Sequence, residues 1–359
     1  MAERRLIVGR GGVLMTVRIG VLTAGGDCPG LNAVIRAIVR SAIHSKDQVL
    51  GIKNGWRGLL EGDMAPLTHA SVTGILPRGG TILGTSRVSP LGDARRLESF
   101  RINWDKYELD ALIVIGGEGS LKTARDMWRD HGYPIVGVPK TIDNDVGGTD
   151  FTFGFDTAVS IVTEAVDRLH STAEAHHRVM VVEVMGRHTG WLAAYGGIAG
   201  GADVVLVPEH PFSLTRVCEF VRRRDQHGRS FSIIVVSEDA RPHPDENFLT
   251  EELNADIYRH ERLGGIGNVL AAEIEKRTGI DTRVTKLGYV QRGGSPTAFD
   301  RVLATRFGIK AYGLVKEQAW GQMTALRGNR ILSVGLDEAL RELKQLDEEI
   351  YHAAEVFFG

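Results

Sequence analysis

The chain has 359 residues, with 43 Lys plus Arg against 45 Asp plus Glu and a formal net charge of −2 at pH 7. That length suggests about two domains with a sizeable core. The charge balance excludes a protein that coats nucleic acid or a membrane surface through bulk basicity, while leaving room for a local basic pocket. With 43% hydrophobic and 25% charged residues, the composition is that of a folded globular chain.

Residues 1–15 carry Arg4, Arg5 and Arg10 without the apolar block of a signal peptide. They read as a short leader ahead of the first strand, with Met15 as a second candidate start. From there a rhythm repeats: an apolar, β-branched run, a glycine-rich turn, then a helical pattern. Residues 19–22 lead into Gly25-Gly26-Asp27-Cys28-Pro29-Gly30 and a helix over 31–44. Residues 111–115 lead into Gly116-Gly117-Glu118-Gly119-Ser120 and a helix containing Lys122, Ala124 and Trp128. Residues 134–138 lead into Pro139-Lys140 and then Thr141-Ile142-Asp143-Asn144-Asp145. Further strands are predicted over 179–184, 204–207, 232–236 and 283–290, a surface loop over 239–252, and a helix over 336–357. Continuous apolar strands alternating with helices predict buried, mainly parallel sheets in an α/β layered fold, with no linker between the halves and a cleft where they meet. Two cysteines, Cys28 and Cys218, are too few for a disulfide framework and point to a reducing cytoplasm. No apolar run approaches the ~18 residues of a membrane span.

Glycine is the compositional outlier, 44 of 359 residues, against a usual share of ~7%. Strand-ending glycine loops let backbone N–H groups approach phosphate oxygens, and the following helix adds its N-terminal partial charge. The two loops at Gly25 and Gly116 fit that description, each with an acid able to face Mg²⁺. Neither is a Walker loop or a GxGxxG fingerprint. The paired carboxylates Asp143 and Asp145 sit where open α/β sheets place their active sites, one able to take a hydroxyl proton and the other to help hold a metal. Taken alone, the same residues would suit an Asx-type turn. Arg87, Arg178, Arg187, Arg283 and Arg292 flank strand ends or glycine loops, and guanidinium forks suit phosphate. His176, His177 and His188 have no metal-ligand spacing and read as structural or peripheral.

These blocks together resemble the 6-phosphofructokinase family over nearly the whole chain: Gly25-Gly26-Asp27-Cys28-Pro29-Gly30-Leu31-Asn32, Pro139-Lys140-Thr141-Ile142-Asp143-Asn144-Asp145, Val184-Met185-Gly186-Arg187 and Gln291-Arg292-Gly293-Gly294. The resemblance implies two layered α/β domains with the active site between them. Residues 16–154 plus about 291–339 would bind the donor nucleotide; about 155–290 plus 340–359 would bind the sugar phosphate. It implies ATP and fructose 6-phosphate as substrates, Mg²⁺ as cofactor, and a homo-oligomer, usually a tetramer, with shared sites. Asp143 would be the base for the sugar 1-hydroxyl, with Thr141 and Asp145 beside it. Gly26, Gly117, Glu118, Gly119 and Ser120 would line the donor site, with Glu118 facing the metal and Trp56 placed to lie against adenine. Arg87 and Arg187 would bridge the transferred phosphoryl group. Met185, Gly186, Glu238, Tyr289 and Arg292 would hold the sugar phosphate, Tyr289 standing where many members have histidine. Arg178 and Arg283 would reach into a neighbouring subunit's site. Arg36 and Arg40 match effector-site arginines, while His69 and His170 replace two others.

Two positions track the family's donor split. Gly119 is the residue of ATP users, where an aspartate would crowd the ATP α-phosphate, and Lys140 is typical of pyrophosphate users. A subgroup of bacterial ATP enzymes combines the two. The expectation is therefore an ATP-dependent kinase, with the pyrophosphate-dependent transferase as the alternative. A catalytically idle sensor on the same fold is a more remote reading, since Gly26, Arg87, Asp143, Asp145 and Arg187 are all present.

Overall fold

The computed structural model describes residues 16–246 and 265–358. Among these residues twelve strands form two sheets: β1 (Arg18–Ala24), β2 (Gln48–Ile52), β3 (Met64–Pro66), β4 (Ala111–Gly116), β5 (Ile135–Thr141), β6 (Phe153–Gly154), β7 (Val179–Val184), β8 (Val204–Leu206), β9 (Ser232–Ser237), β10 (Thr282–Lys286), β11 (Gln322–Arg327) and β12 (Arg330–Gly335). The first sheet runs β12-β11-β5-β4-β1-β2-β3, with β6 paired to the end of β5. It is parallel apart from its two edge strands, β3 and β12. The second sheet runs β10-β7-β9-β8 and is parallel throughout. Every residue of β4, β5, β7 and β9 is buried, as expected of predominantly apolar strands with helices on both faces.

The expected helix over 31–44 is present as Leu31–His44, and Glu118–Arg129 follows the second glycine loop. Two expectations are corrected. The strand predicted over 283–290 ends at Lys286, because the chain turns at Gly288 (φ 50°) into a short 3-10 turn, Gly288–Arg292. The helix predicted over 336–357 is two short helices, Leu336–Ala339 and Glu348–Glu355, separated by an extended stretch whose polar groups bind elsewhere in the fold. The loop over 239–252 is described only to residue 246, where its first residues are stitched to the chain near Phe212. The leader over 1–15 lies outside the described residues.

Asp47 joins the two ends of the first layer. Its Oδ1 accepts from the Val17 amide at 2.9 Å, and its Oδ2 accepts from the Tyr312 hydroxyl at 2.6 Å and from Lys316 Nζ at 2.8 Å. Burial alone would raise this carboxyl's pKa, but the bonds from Lys316, Tyr312 and the Val17 amide outweigh it and hold it below its ordinary value. A lowered folded-state pKa contributes stability above the unfolded value of ~3.9, lost as pH falls through the folded one. Asp47→Asn should therefore cost about 2 kcal/mol at pH 7. Melting curves at pH 7 and pH 3 should show that deficit shrinking in acid; a constant deficit would contradict the assignment.

Candidate active site

The carboxyl ends of β1, β4, β5, β7 and β9 open toward one another, the position where parallel α/β sheets carry their sites. After β1, Gly25 donates to the Ser86 carbonyl at 3.2 Å and accepts from the Thr85 hydroxyl at 2.6 Å, which places Arg87 beside the first glycine loop. Arg87 itself is exposed. Lys140, at the end of β5, is 3% exposed, and its ammonium donates to the Gly26 carbonyl. Burial pushes this ammonium's pKa down. Arg292 donates to the Asp27 carbonyl at 3.2 Å and lies so close that a Cβ at Gly26 would sit 2.4 Å from its guanidinium. A side chain there would have to displace the Arg292 guanidinium. Arg292 thus lies on the donor-type loop rather than only among the sugar-loop residues.

After β4, the loop enters the helix Glu118–Arg129. Glu118 occupies its first turn and pairs with Lys122. A Cβ at Gly119 would meet no atom within 4 Å, so this helix end faces open space.

After β5 come the paired carboxylates, both buried. The Thr141 hydroxyl donates to Asp143 Oδ2 at 3.2 Å and accepts from the Asp143 amide at 3.0 Å. This is a turn made by the Thr141 hydroxyl rather than by an Asx side chain, and it is enclosed rather than solvated. Asn144 takes the left-handed conformation (φ 51°), which asparagine tolerates, and its Oδ1 accepts from the Thr152 amide at 3.0 Å. Asp143 Oδ1 and Asp145 Oδ1 are buried without a hydrogen-bond partner among the described residues. Such orphaned oxygens call for a ligand, a cation or a donor hydroxyl. Burial first, then the charge of Asp143, pushes Asp145 up to about 7, against the pull of the Arg187 guanidinium.

After β7, Gly186 (φ 145°) and Arg187 (φ 51°) turn sharply, and a non-glycine residue in that conformation is a strained one. The Arg187 amide donates to Glu238 Oε1 at 3.1 Å. Burial pushes Glu238 up to about 7, with the charges of Asp143 and Glu183 adding to it. The Thr189 hydroxyl lies 3.2 Å from the carbonyls of both Asp143 and Gly186, spanning the two loops. The Met185 amide donates to Gln291 Oε1 at 3.2 Å. Thr189 and Gln291 escaped the sequence reading, although Gln291 opens one of its quoted motifs.

Gly26, Lys140, Asp143, Asp145, Met185, Gly186, Arg187, Glu238 and Arg292 are thereby linked around one centre. Thr141, Arg87 and the loop over 117–120 border it, whereas Trp56, Tyr289, Arg178 and Arg283 fall elsewhere. Trp56 is 2% exposed and packs on Phe100, ring centroids 6.4 Å apart, in the core beneath β1 and β4. This corrects its expected place against a ligand: Gly55 (φ 62°) turns the chain so that the indole points inward. Tyr289 is 79% exposed on the 3-10 turn. Arg178 and Arg283 sit at the opposite ends of β7 and β10, about 20 Å from Met185 at ~3.3 Å per residue, where both pair with Asp281. Arg40 lies 2.6 Å from His69 Nε2, and His170 Nε2 lies 2.9 Å from the Gly200 carbonyl.

A family model described as phosphofructokinase matches residues 18–315, and the chain belongs to the phosphofructokinase family. The pyrophosphate–fructose 6-phosphate 1-phosphotransferase of Streptomyces coelicolor is 52% identical over 344 residues, 96% of this chain and all of that one. The ATP-dependent 6-phosphofructokinase 3 of the same organism is also 52% identical, over 340 residues, 94% of this chain and 99% of that one. Among solved structures, phosphofructokinase from Saccharomyces cerevisiae superposes with a TM-score of 0.78 at 32% identity, covering 95% of this chain and 47% of that chain.

Proposed function

We propose that this enzyme transfers the γ-phosphoryl group of ATP to the 1-hydroxyl of fructose 6-phosphate, giving fructose 1,6-bisphosphate and ADP. The observation that carries the donor assignment is the open space at Gly119, which leaves room for an α-phosphate beside the helix end. The first sheet's layer would take the donor and the second sheet's layer the sugar phosphate. Asp143 accepts the hydroxyl proton as the sugar oxygen bonds to phosphorus and the bond to the ADP oxygen breaks. Arg87 and Arg187 neutralise charge on the transferred group, and the Gly26 amide with the loop over 117–120 positions the donor phosphates.

Mg²⁺ fits the residues present. The orphaned oxygens of Asp143 and Asp145 are unsatisfied without a cation or hydroxyl. No cluster of three ligating side chains exists among the described residues, which suits a cation bound by one or two carboxylates plus substrate phosphates. Asp145 and Glu118 would hold it, and it would supply charge neutralisation at the phosphoryl group. Free, buried Cys28 and Cys218 support a reducing, cytoplasmic setting; among the described residues no helix is long and apolar enough to cross a membrane.

A second reading, pyrophosphate as donor, is supported by Lys140, whose ammonium reaches the Gly26 loop, and by relatives so named at equal identity. The test is one assay of fructose 6-phosphate with Mg²⁺ and either ATP or pyrophosphate. Turnover with ATP alone is expected; equal or better turnover with pyrophosphate would overturn the donor assignment.

We further propose a homo-oligomer, a tetramer, with shared sugar sites. Arg178 and Arg283 lie too far from Arg187 to serve their own chain's site, so they would complete a neighbour's. A charge-assisted contact to a phosphate is worth ~1.5–3 kcal/mol, so Arg178→Ala should raise KM for fructose 6-phosphate about tenfold and leave the donor KM unchanged. Mixing Arg178→Ala with Asp143→Asn subunits should restore part of the activity. No recovery despite demonstrated subunit exchange would contradict shared sites.

A further inference from the structure

Residues 340–347 run from the helix Leu336–Ala339 to the helix Glu348–Glu355, and at their centre Lys344 touches both loops of the site. Its amide donates to the Asp145 carbonyl at 3.0 Å, and its ammonium donates to the Asp150 carbonyl at the far end of the same loop. Its own carbonyl accepts from Trp191 Nε1 at 3.0 Å. The ammonium sits 4.5 Å from the Trp191 ring centroid and 5.8 Å from that of Phe151. Two residues on, the Leu346 amide and the Gly190 amide share Glu209 Oε1, at 2.9 and 3.0 Å. Gly190 directly follows the sugar-loop segment Arg187-His188-Thr189, and the Thr189 hydroxyl reaches back to the Asp143 carbonyl.

A half-buried ammonium held by a carbonyl and two ring faces, with no carboxylate in ion-pairing range among the described residues, is a costly way to fill space. Through its amide, its ammonium and its carbonyl respectively, Lys344 joins the Asp145 carbonyl, the Asp150 carbonyl and the Trp191 indole at the start of the helix Trp191–Ala199, and of these the Asp150 bond and the ring contacts belong to the side chain.

We propose that Lys344 is a positioning residue for phosphoryl transfer, fixing the loop that carries Asp143 and Asp145 against the loop that carries Arg187. This rests on the reading that these loops form the transfer site. Lys344 touches no substrate position; it acts through the backbone of its neighbours. Its loss should therefore spare sugar binding, which Glu238 and Gln291 support independently, and impair the alignment of base and acceptor. A misplacement of about 1 Å costs on the order of 10²-fold in rate.

The test compares Lys344→Met, which keeps the length and removes the charge, with Lys344→Arg, which keeps charge and donors. Kinetics are measured with ATP and with pyrophosphate, fructose 6-phosphate binding by calorimetry without donor, and melting temperature alongside. Lys344→Met should lower kcat by about 10–100-fold with sugar KM and Kd within about threefold of the parent. Lys344→Arg should regain most of the lost kcat. A Met variant with the parent's kcat would overturn the proposal. So would parallel losses in kcat, sugar binding and melting temperature that Arg does not reverse. Should Lys344→Met not fold, Trp191→Phe removes one hydrogen bond to the strap and should give the same split at about 3–10-fold; an unchanged kcat there overturns the proposal. A parent inactive with both donors would instead sink the phosphofructokinase reading, independently of Lys344.

Discussion

Asp143→Asn is expected to leave the fold and substrate binding largely intact and to reduce kcat by about 10²–10⁴-fold, the usual cost of removing a positioned general base. The amide has the carboxylate's shape, and the turn made by the Thr141 hydroxyl and the Asp143 amide does not need the charge. What disappears is the proton acceptor, together with a negative neighbour of Asp145. Burial and the Asp143 charge together hold Asp145 up near 7, so in the variant its pKa should fall. Steady-state kinetics beside a thermal melt measure the first effect, and carboxyl NMR titration the second. A variant retaining most of its kcat would move the base to Asp145.

Gly119→Asp should suppress ATP turnover by on the order of 10²-fold or more in kcat/KM, since two charges about 4 Å apart near a protein surface interact by ~4 kcal/mol. The space at this position means the new side chain displaces no protein atom and should fold without strain. Its carboxylate would occupy the region proposed for the nucleotide α-phosphate, adding bulk and like charge. Pyrophosphate, which has no such phosphate, should be unaffected or used better. A matching loss of fructose 6-phosphate binding or of melting temperature in this variant would mean that the helix end, not the α-phosphate site, had been disturbed.

The sequence revealed most where a buried strand meets a glycine loop. β1, β4, β5, β7 and β9 are dominated by apolar residues because both faces are covered, and the loops after their ends carry the candidate site. The five-residue β2 and the partly exposed hairpin β11–β12 around Gly328-Asn329 carry a weaker signature, so the folded neighbours reveal them. The C-terminal segment has helical spacing throughout, yet tertiary bonds from Lys344 and Leu346 pull its middle into an extended strap. Trp56 misled for a similar reason: an aromatic beside a turn points toward solvent or core according to one backbone angle, here that of Gly55. The carboxylate pair Asp143 and Asp145 was legible as chemistry, but Asn144 and Thr189, which brace its turn, and Gln291, which binds the Met185 amide, act through side-chain-to-backbone bonds that no spacing encodes.

The placement of β11 bears on how the chain is made. β5, which ends at the catalytic turn, is flanked on one side by β4 and on the other by residues 322–323, and the amide ends at Gly154 and Thr157 are closed by Asp300. During synthesis the whole second sheet emerges before those partners do. Until then β5 carries an open edge and the helix Phe155–His176 an uncapped start, both invitations to wrong pairing. A chain that ended before residue 300 would lack Asp300, and one that ended before residue 322 would still lack the strand that closes the edge of β5. The turn that carries Asp143 is thus completed only by residues lying far downstream of it in the chain.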